Sequence, residues 1–299
     1  MKDDNFILIN EVGLRDGLQG VSQEVTIEQR LKIIDILIES GLKNIQVCSF
    51  VNPKKIPQMN NVEELVKKLP KKNDVSFSAF ILNQYGLERA LKSGIKKVET
   101  SISLSESYSQ KNVGISVAKA QENLHPIVSE AIDAKVEIRA GLQCVWGCAY
   151  EGKINSNKVL KLLEEVINTG ASVICLADTI GAATPHNIEN LLEKIFKQFP
   201  DIKLALHLHV NNGVELDNVK IAIEMGINQF DTSFGGIGGS PFMKGSRGNI
   251  ATEEMVDHLN RLGYTPGIVT NKVATASRIL EEIINSEYFY GELYKLANK

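Results

Sequence analysis

The sequence predicts an α/β protein folded as a (β/α)8 TIM barrel with extra C-terminal helices. Three observations predict it. A short β-rich run, a loop and an amphipathic run recur eight times between residues 6 and 262. No Gly-x-Gly-x-x-Gly turn follows the first strand, as an open doubly wound dinucleotide-binding sheet would require. The composition is even, 43% hydrophobic and 23% charged over 299 residues, with no break that marks a second core.

The strands are expected at 6–10, 44–48, 75–80, 97–101, 136–140, 173–177, 203–207 and 229–232. Each is short and rich in β-branched or aromatic residues. The helices are expected at 27–40, 62–69, 87–93, 117–134, 157–169, 185–199, 216–225 and 252–262. Thr26 and Gln29 fit a capping box, in which two side chains satisfy free N–H groups at a helix start. Thr184-Pro185 sets a cap residue before a first-turn proline. Gly41, Gly94, Gly170, Gly226 and Gly263 stand just past helices, where a positive φ is wanted. Residues 1–265 are read as the barrel and 266–299 as a helical extension packed on it, with helices at 271–284 and 287–296.

Lys plus Arg is 33 and Asp plus Glu is 36, for a net charge of -3, which argues against nucleic-acid binding. No apolar run is long enough to span a membrane. The start, Met1 to Asn5, is polar and has neither an apolar export stretch nor an Arg-rich leader, so a cytoplasmic location is expected. The four cysteines read as reduced thiols. Cys48 and Cys175 are expected in the core, and Cys144 and Cys148 as loop-shaping residues.

Alternation along the strands locates the chemistry. In 203–209 the leucines at 204, 206 and 208 share one face and His207 and His209 share the other. The leucines belong under the helices, so the imidazoles point together into the lumen at the C-terminal end, where barrel enzymes place their sites. The same phase groups Gln46 with Cys48, Glu99 with Ser101 and Ser103, and Glu137 with Arg139. His-x-His alone suits either a metal or a hydrogen-bonded core pair. Asp16 after strand 1 and Asp178 after strand 6 add ligand types at equivalent ends. After strand 8, residues 235–248 hold six glycines in fourteen positions, fit either for a loop that covers a site or for a plain surface connection. An aspartate, two imidazoles and an amide oxygen suit Mg²⁺ or Mn²⁺ better than Zn²⁺.

Several segments together resemble a known family. They are Gly13-Leu-Arg15-Asp16-Gly17-Leu-Gln19, Ser49-Phe-Val-x-Pro53-Lys-x-x-Pro57-Gln-Met59, Cys148-x-Tyr-Glu-Gly-Lys153, Asp178-Thr-Ile-Gly181, His207-x-His209 and Gly248-Asn249-x-Ala-Thr-Glu253. They resemble 3-hydroxy-3-methylglutaryl-CoA lyase, a DRE-TIM metallolyase, from about residue 6 to about 265. The resemblance implies a divalent metal on Asp16, His207, His209 and Asn249, and Arg15 at the enolate oxygen. It implies catalytic parts for Asp16, His207, Asp178 and Ser240, and contacts to substrate from Gln19, Gln46 and Arg139. It further implies an acyl-CoA or related hydroxy-acid substrate, with room for a homo-oligomer. The lyases carry cysteine where this chain has Ser240, glutamate where it has Gln46, and Asn-Glu where it has Gly20-Val21. Val210-Asn211-Asn212-Gly213 also departs from the usual acid-containing segment. These departures leave two other readings beside the lyase: a Claisen-type synthase or aldolase on a 2-oxo acid, and an attenuated paralogue that binds metal and thioester.

Overall fold

The computed structural model describes residues 6–210, 213–239 and 248–296. Eight parallel strands form a closed barrel: β1 Leu8–Glu11, β2 Asn44–Ser49, β3 Ser76–Phe80, β4 Lys97–Ser103, β5 Glu137–Gln143, β6 Val173–Ala177, β7 Leu204–His207 and β8 Gln229–Thr232. They run in order around the wall, and β8 closes onto β1 with Leu8 beside Gln229 and Glu11 beside Thr232. The helices lie outside: α1 Ile27–Glu39, α2 Val62–Lys68, α3 Gln84–Ser93, α4 Glu106–Asn112, α5 Val117–Asp133, α6 Ser156–Ile167, α7 Pro185–Gln198, α8 Glu215–Glu224, α9 Thr252–Arg261 and α10 Thr270–Ile284. The predicted TIM barrel is therefore the observed fold. No described helix is long and apolar enough to cross a membrane.

Local rules explain most elements. Capping boxes at Thr26/Gln29 and Thr184/Asn187 start α1 and α7, each worth about 1 kcal/mol. On α6 the buried residues Val159, Leu162, Leu163 and Val166 follow helical spacing and face the barrel. All five glycines expected past helices have positive φ.

Three expectations are corrected. Residues 287–296 are not one helix: Asn285, at φ 75°, ends α10, and two short 3-10 turns follow at Ser286–Tyr288 and Leu293–Leu296. That path folds the chain back so that Phe289 and Tyr294 are buried. Cys48 does not share the lumen with Gln46. The β2–β3 register slips between these residues, which turns the thiol outward to the environment of Arg30, Glu63 and Arg89, where burial pushes it up to about 12. Cys175 is in the core as expected, on the face of β6 that lines the cavity of the barrel. Helix α3 begins three residues early, because the Asn83 side chain accepts the Gly86 N–H.

Two buried carboxyls anchor the loop after β8, Glu11 to the turn after β1 and Glu253 to α10. Glu11 accepts from Gly13 N (2.8 Å), Phe234 N (3.1 Å) and Thr252 Oγ1 (2.5 Å). Glu253 accepts from Gly235 N at 2.9 Å and from Ser277 Oγ. Gly13 is required here, since a Cβ would meet the Phe234 ring at 2.6 Å. Burial outweighs these hydrogen bonds and pushes Glu11 up to about 8 and Glu253 up to about 7. The folded state keeps these protons where the unfolded chain has lost them. The contribution of these two groups is therefore fully present below about pH 4.5 and declines as pH rises towards 7–8, by up to about 1.4 kcal/mol per pH unit per group. Glu11→Gln should flatten the fall in Tm between about pH 5.5 and 8.5; an unchanged slope would remove Glu11 as its source.

Candidate active site and metal centre

A cavity of about 910 Å³ opens at the C-terminal end of the barrel. Its lining includes Arg15, Asp16, Gln19, His207 and His209, with Phe50, Phe80 and Tyr108 supplying apolar walls. Arg15 and Asp16 sit on a single wide helical turn, Gly13–Gly17, directly after β1. His207 ends β7, and His209, two residues on, forms an antiparallel bridge with Asn249. That bridge brings the segment beyond the glycine-rich loop back to the strand ends. Gly238, at φ 124°, is also needed, because a Cβ there would fall on the Asn249 amide and lie 3.1 Å from Asp16 Oδ2.

The ligand atoms of Asp16, His207 and His209 all lie within 4.8 Å of one another. His207 Nδ1 donates to Asp231 Oδ2 at 3.1 Å, and His209 Nδ1 donates to the Asp178 carbonyl oxygen at 2.8 Å. Oxygen acceptors at Nδ1 fix the tautomer and leave Nε2 as the ligating atom, the usual arrangement for metal-binding histidines. Asn249 Nδ2 donates to Asp16 Oδ2 at 2.9 Å and to the Ile237 carbonyl at 3.0 Å. Within this set of four side chains, two buried atoms then have no hydrogen-bond partner: His209 Nε2 and Asn249 Oδ1. A buried orphan lone pair is costly, and two beside a carboxylate are a donor set that fits a divalent cation.

The charges agree. Burial opposes ionisation of Asp16, but Arg15, His207 and His209 outweigh it and hold the carboxyl down at about 2. Burial, with His207 next, drives His209 down to about 4, so the imidazole is neutral at neutral pH, the form that can bind a metal. Burial also works against a charged His207, but the hydrogen bond to Asp231 and the Asp16 charge raise it above the usual value.

A second group, Glu99, Cys175 and Asp231, also has ligand atoms within 4.8 Å of one another. Arg139 already fills it. Its Nε lies 3.1 Å from Glu99 Oε2, and its Nη2 donates to Asp231 Oδ2. Arg139 and His207 outweigh burial and hold Asp231 well below the carboxylate range, and Asp231, with Glu99 beside it, outweighs burial and holds Arg139 well above its ordinary value.

The HMGL-like family model matches residues 6–280. The chain belongs to the HMGL-like family. It is 37% identical over 276 residues to the hydroxymethylglutaryl-CoA lyase of Bacillus subtilis, which covers 92% of each chain. The identity to the Pseudomonas mevalonii enzyme is 34% over 268 residues, 90% of this chain and 89% of that one. The crystal structure of the B. subtilis HMG-CoA lyase matches with a TM-score of 0.92, covering 98% of both chains at 34% identity. An Acinetobacter baumannii HMG-CoA lyase, solved with coenzyme A and 3-methylmalate, matches with a TM-score of 0.93 at 29% identity, over 100% of this chain and 97% of that one.

In this HMGL-like chain the candidate residues fall in three groups. Arg15, Asp16, Gln19, His207 and His209 converge on the cavity, with Gln19 Nε2 donating to Asp16 Oδ1 at 2.9 Å and Asn249 buried against Asp16. Gln46 and Arg139 are buried beneath them. Asp178 is fully buried, and its two carboxylate oxygens accept from Ala182 N (2.8 Å) and Ala183 N (2.9 Å), so its carboxyl serves the loop after β6. Ser240 lies outside the described residues. Glu99 and Asp231 were not among the candidates. The available signal was a charge in the middle of a short barrel strand, on the lumen phase.

Proposed function

We propose that this chain is a divalent-metal-dependent carbon–carbon lyase. It would cleave a 3-hydroxy-3-carboxymethyl acyl-CoA, in retro-Claisen fashion, to acetyl-CoA and a 3-oxo acid. The observation that carries this reading is the pair of unpartnered ligand atoms, His209 Nε2 and Asn249 Oδ1, set beside Asp16 and the Arg15 guanidinium in one cavity. Lyase relatives along almost the whole chain support it, as does the related enzyme solved with coenzyme A and 3-methylmalate.

Asp16, His207, His209 and Asn249 would hold Mg²⁺ or Mn²⁺, with Zn²⁺ less suited to the mixed N/O set. Bound there, the ion would acidify the substrate's tertiary hydroxyl. Asp16, ionised at neutral pH, is the carboxylate placed to take the hydroxyl proton. Arg15 is placed to neutralise the thioester enolate oxygen as the carbon–carbon bond breaks. Gln19 steadies Asp16 and reaches the substrate. Asp178 positions His209 through its carbonyl, and Gln46 and Arg139 position Arg15 and Asp231 from below the floor.

The direct test is metal-dependent release of acetyl-CoA from 3-hydroxy-3-methylglutaryl-CoA and larger 3-alkyl homologues, abolished by a chelator and restored by Mg²⁺ or Mn²⁺. Turnover of 2-oxo acids in place of every acyl-CoA would overturn the lyase reading. A second expectation concerns Asp231, which orients His207. Asp231→Asn should weaken Mn²⁺ binding by about 10–100-fold, the usual cost of losing a ligand's carboxylate partner. Unchanged affinity in a Mn²⁺ titration would separate Asp231 from the metal.

A further inference from the structure

The floor beneath the cavity is a continuous chain of contacts between the two sides of the site. Arg15 Nε donates to Gln46 Oε1, and Gln46 Nε2 donates to Glu99 Oε2 at 2.7 Å. Glu99 pairs with Arg139 through Nε at 3.1 Å and Nη2 at 3.2 Å. Arg139 pairs with Asp231, which receives the His207 Nδ1 proton. The orientation of the Gln46 amide is not open to choice. A guanidinium N–H needs its oxygen and a carboxylate needs its NH2, so the two neighbours set the side chain from opposite ends. Glu99 is 6% exposed, lines the cavity, and is the anion through which both halves of the chain pass.

We propose that Glu99 is a positioning residue of this site: through Gln46 it fixes the reach of Arg15, and through Arg139 and Asp231 it fixes His207. The inference rests on the lyase reading for its kinetic consequence and on the floor geometry alone for the rest. Gln46 and Glu99 act as one amide–carboxylate pair. Reversing the pair should preserve every contact but one, the 3.1 Å approach of Arg139 Nε to the Glu99 oxygen that the exchange turns into an amide nitrogen. A glutamate at 46 would accept from Arg15 Nε, and a glutamine at 99 would donate to it while its oxygen accepts from Arg139. Either single exchange breaks the match. Glu99→Gln leaves two amides and strips Arg139 of one counter-ion, whereas Gln46→Glu sets two carboxylates at hydrogen-bond distance.

The experiment compares wild type, Glu99→Gln, Gln46→Glu and the double variant by kcat, KM and Mn²⁺ affinity. Each single variant should lose about 10–10²-fold in kcat with KM changed little, the cost of a small misplacement of a reacting group. Mn²⁺ binding should weaken in Glu99→Gln on the order of fivefold, less than for a direct partner of a ligand. The double variant should recover both to within about threefold, the non-additivity expected of groups in contact. A Glu99→Gln variant with wild-type kcat and Mn²⁺ affinity would overturn the proposal, as would a double variant no better than the worse single. If the wild type binds Mn²⁺ but cleaves no acyl-CoA, the lyase reading fails and the Mn²⁺ affinities alone decide on Glu99. A wild type that binds no Mn²⁺ overturns both.

Discussion

Arg15→Met is expected to slow carbon–carbon cleavage by about 10²–10³-fold, the usual cost of removing a fixed partner for transition-state charge. The guanidinium is nearly buried, stacks over the Phe80 ring at 4.7 Å to the centroid, and donates to Asp16 Oδ1 at 2.5 Å and to Gln46. Methionine keeps most of that volume and the contact with Phe80 while removing the charge. The loss should fall on kcat, since the enolate charge exists only as the bond breaks. Metal affinity should hold or tighten. Arg15 is the main opposite charge on Asp16, and without it the site is more negative. A variant with full turnover would take Arg15 out of the chemistry, and one that no longer binds Mn²⁺ would show that Arg15 builds the metal centre.

The second large effect is expected at Ser240. A leaving enolate must be protonated at carbon, and general acids contribute about 10²–10⁴-fold to such steps. A thiol with a pKa of about 8.5 can serve, whereas a serine hydroxyl is a far weaker acid. The wild type should therefore be a slow 3-hydroxy-3-methylglutaryl-CoA lyase, and Ser240→Cys should raise its rate towards that range with Mn²⁺ affinity unchanged. Gly238, at φ 124°, lies immediately beside Asn249. Rapid turnover by the wild type would mean that water or another side chain delivers the proton. A metal-loaded Ser240→Cys variant no faster than the wild type would place the limit elsewhere, with substrate fit the first alternative.

Gln46 gives the second expectation a wider setting. The family resemblance expects a glutamate at this point of β2, and the chain has an amide there. Yet the site has not lost the negative charge, because Glu99 on β4 stands 2.7 Å from the Gln46 amide nitrogen. Counted with Arg15, Arg139, Asp16 and Asp231, the floor has three carboxylates against two guanidinium groups. An excess of one negative charge in a buried cavity favours an incoming cation.

What the sequence determined by itself was what one short segment can encode. Helix caps at Thr26 and Thr184, glycines past the helix ends and the apolar spacing of α6 each depend on neighbours within a few residues. The strand phase that sets His207 and His209 on the lumen side is just as local. With eight such units, a right-handed strand–helix repeat has little choice but to close. The tertiary structure decided what depends on how far each strand is shifted against its neighbour. The slip between Gln46 and Cys48 keeps one in the lumen and sends the other under the helices. Barrel closure joins Glu11 to Phe234 and Thr252, Arg15 to Gln46, Gln46 to Glu99, and Arg139 to Asp231, pairs separated by 31 to 241 positions in the chain. The Asp178 carboxylate turned to its own loop because Ala182 and Ala183 presented N–H groups to it in the folded turn. A pattern of residue types fixes which face a side chain occupies; register and closure fix which side chain it meets, and only the folded chain contains those.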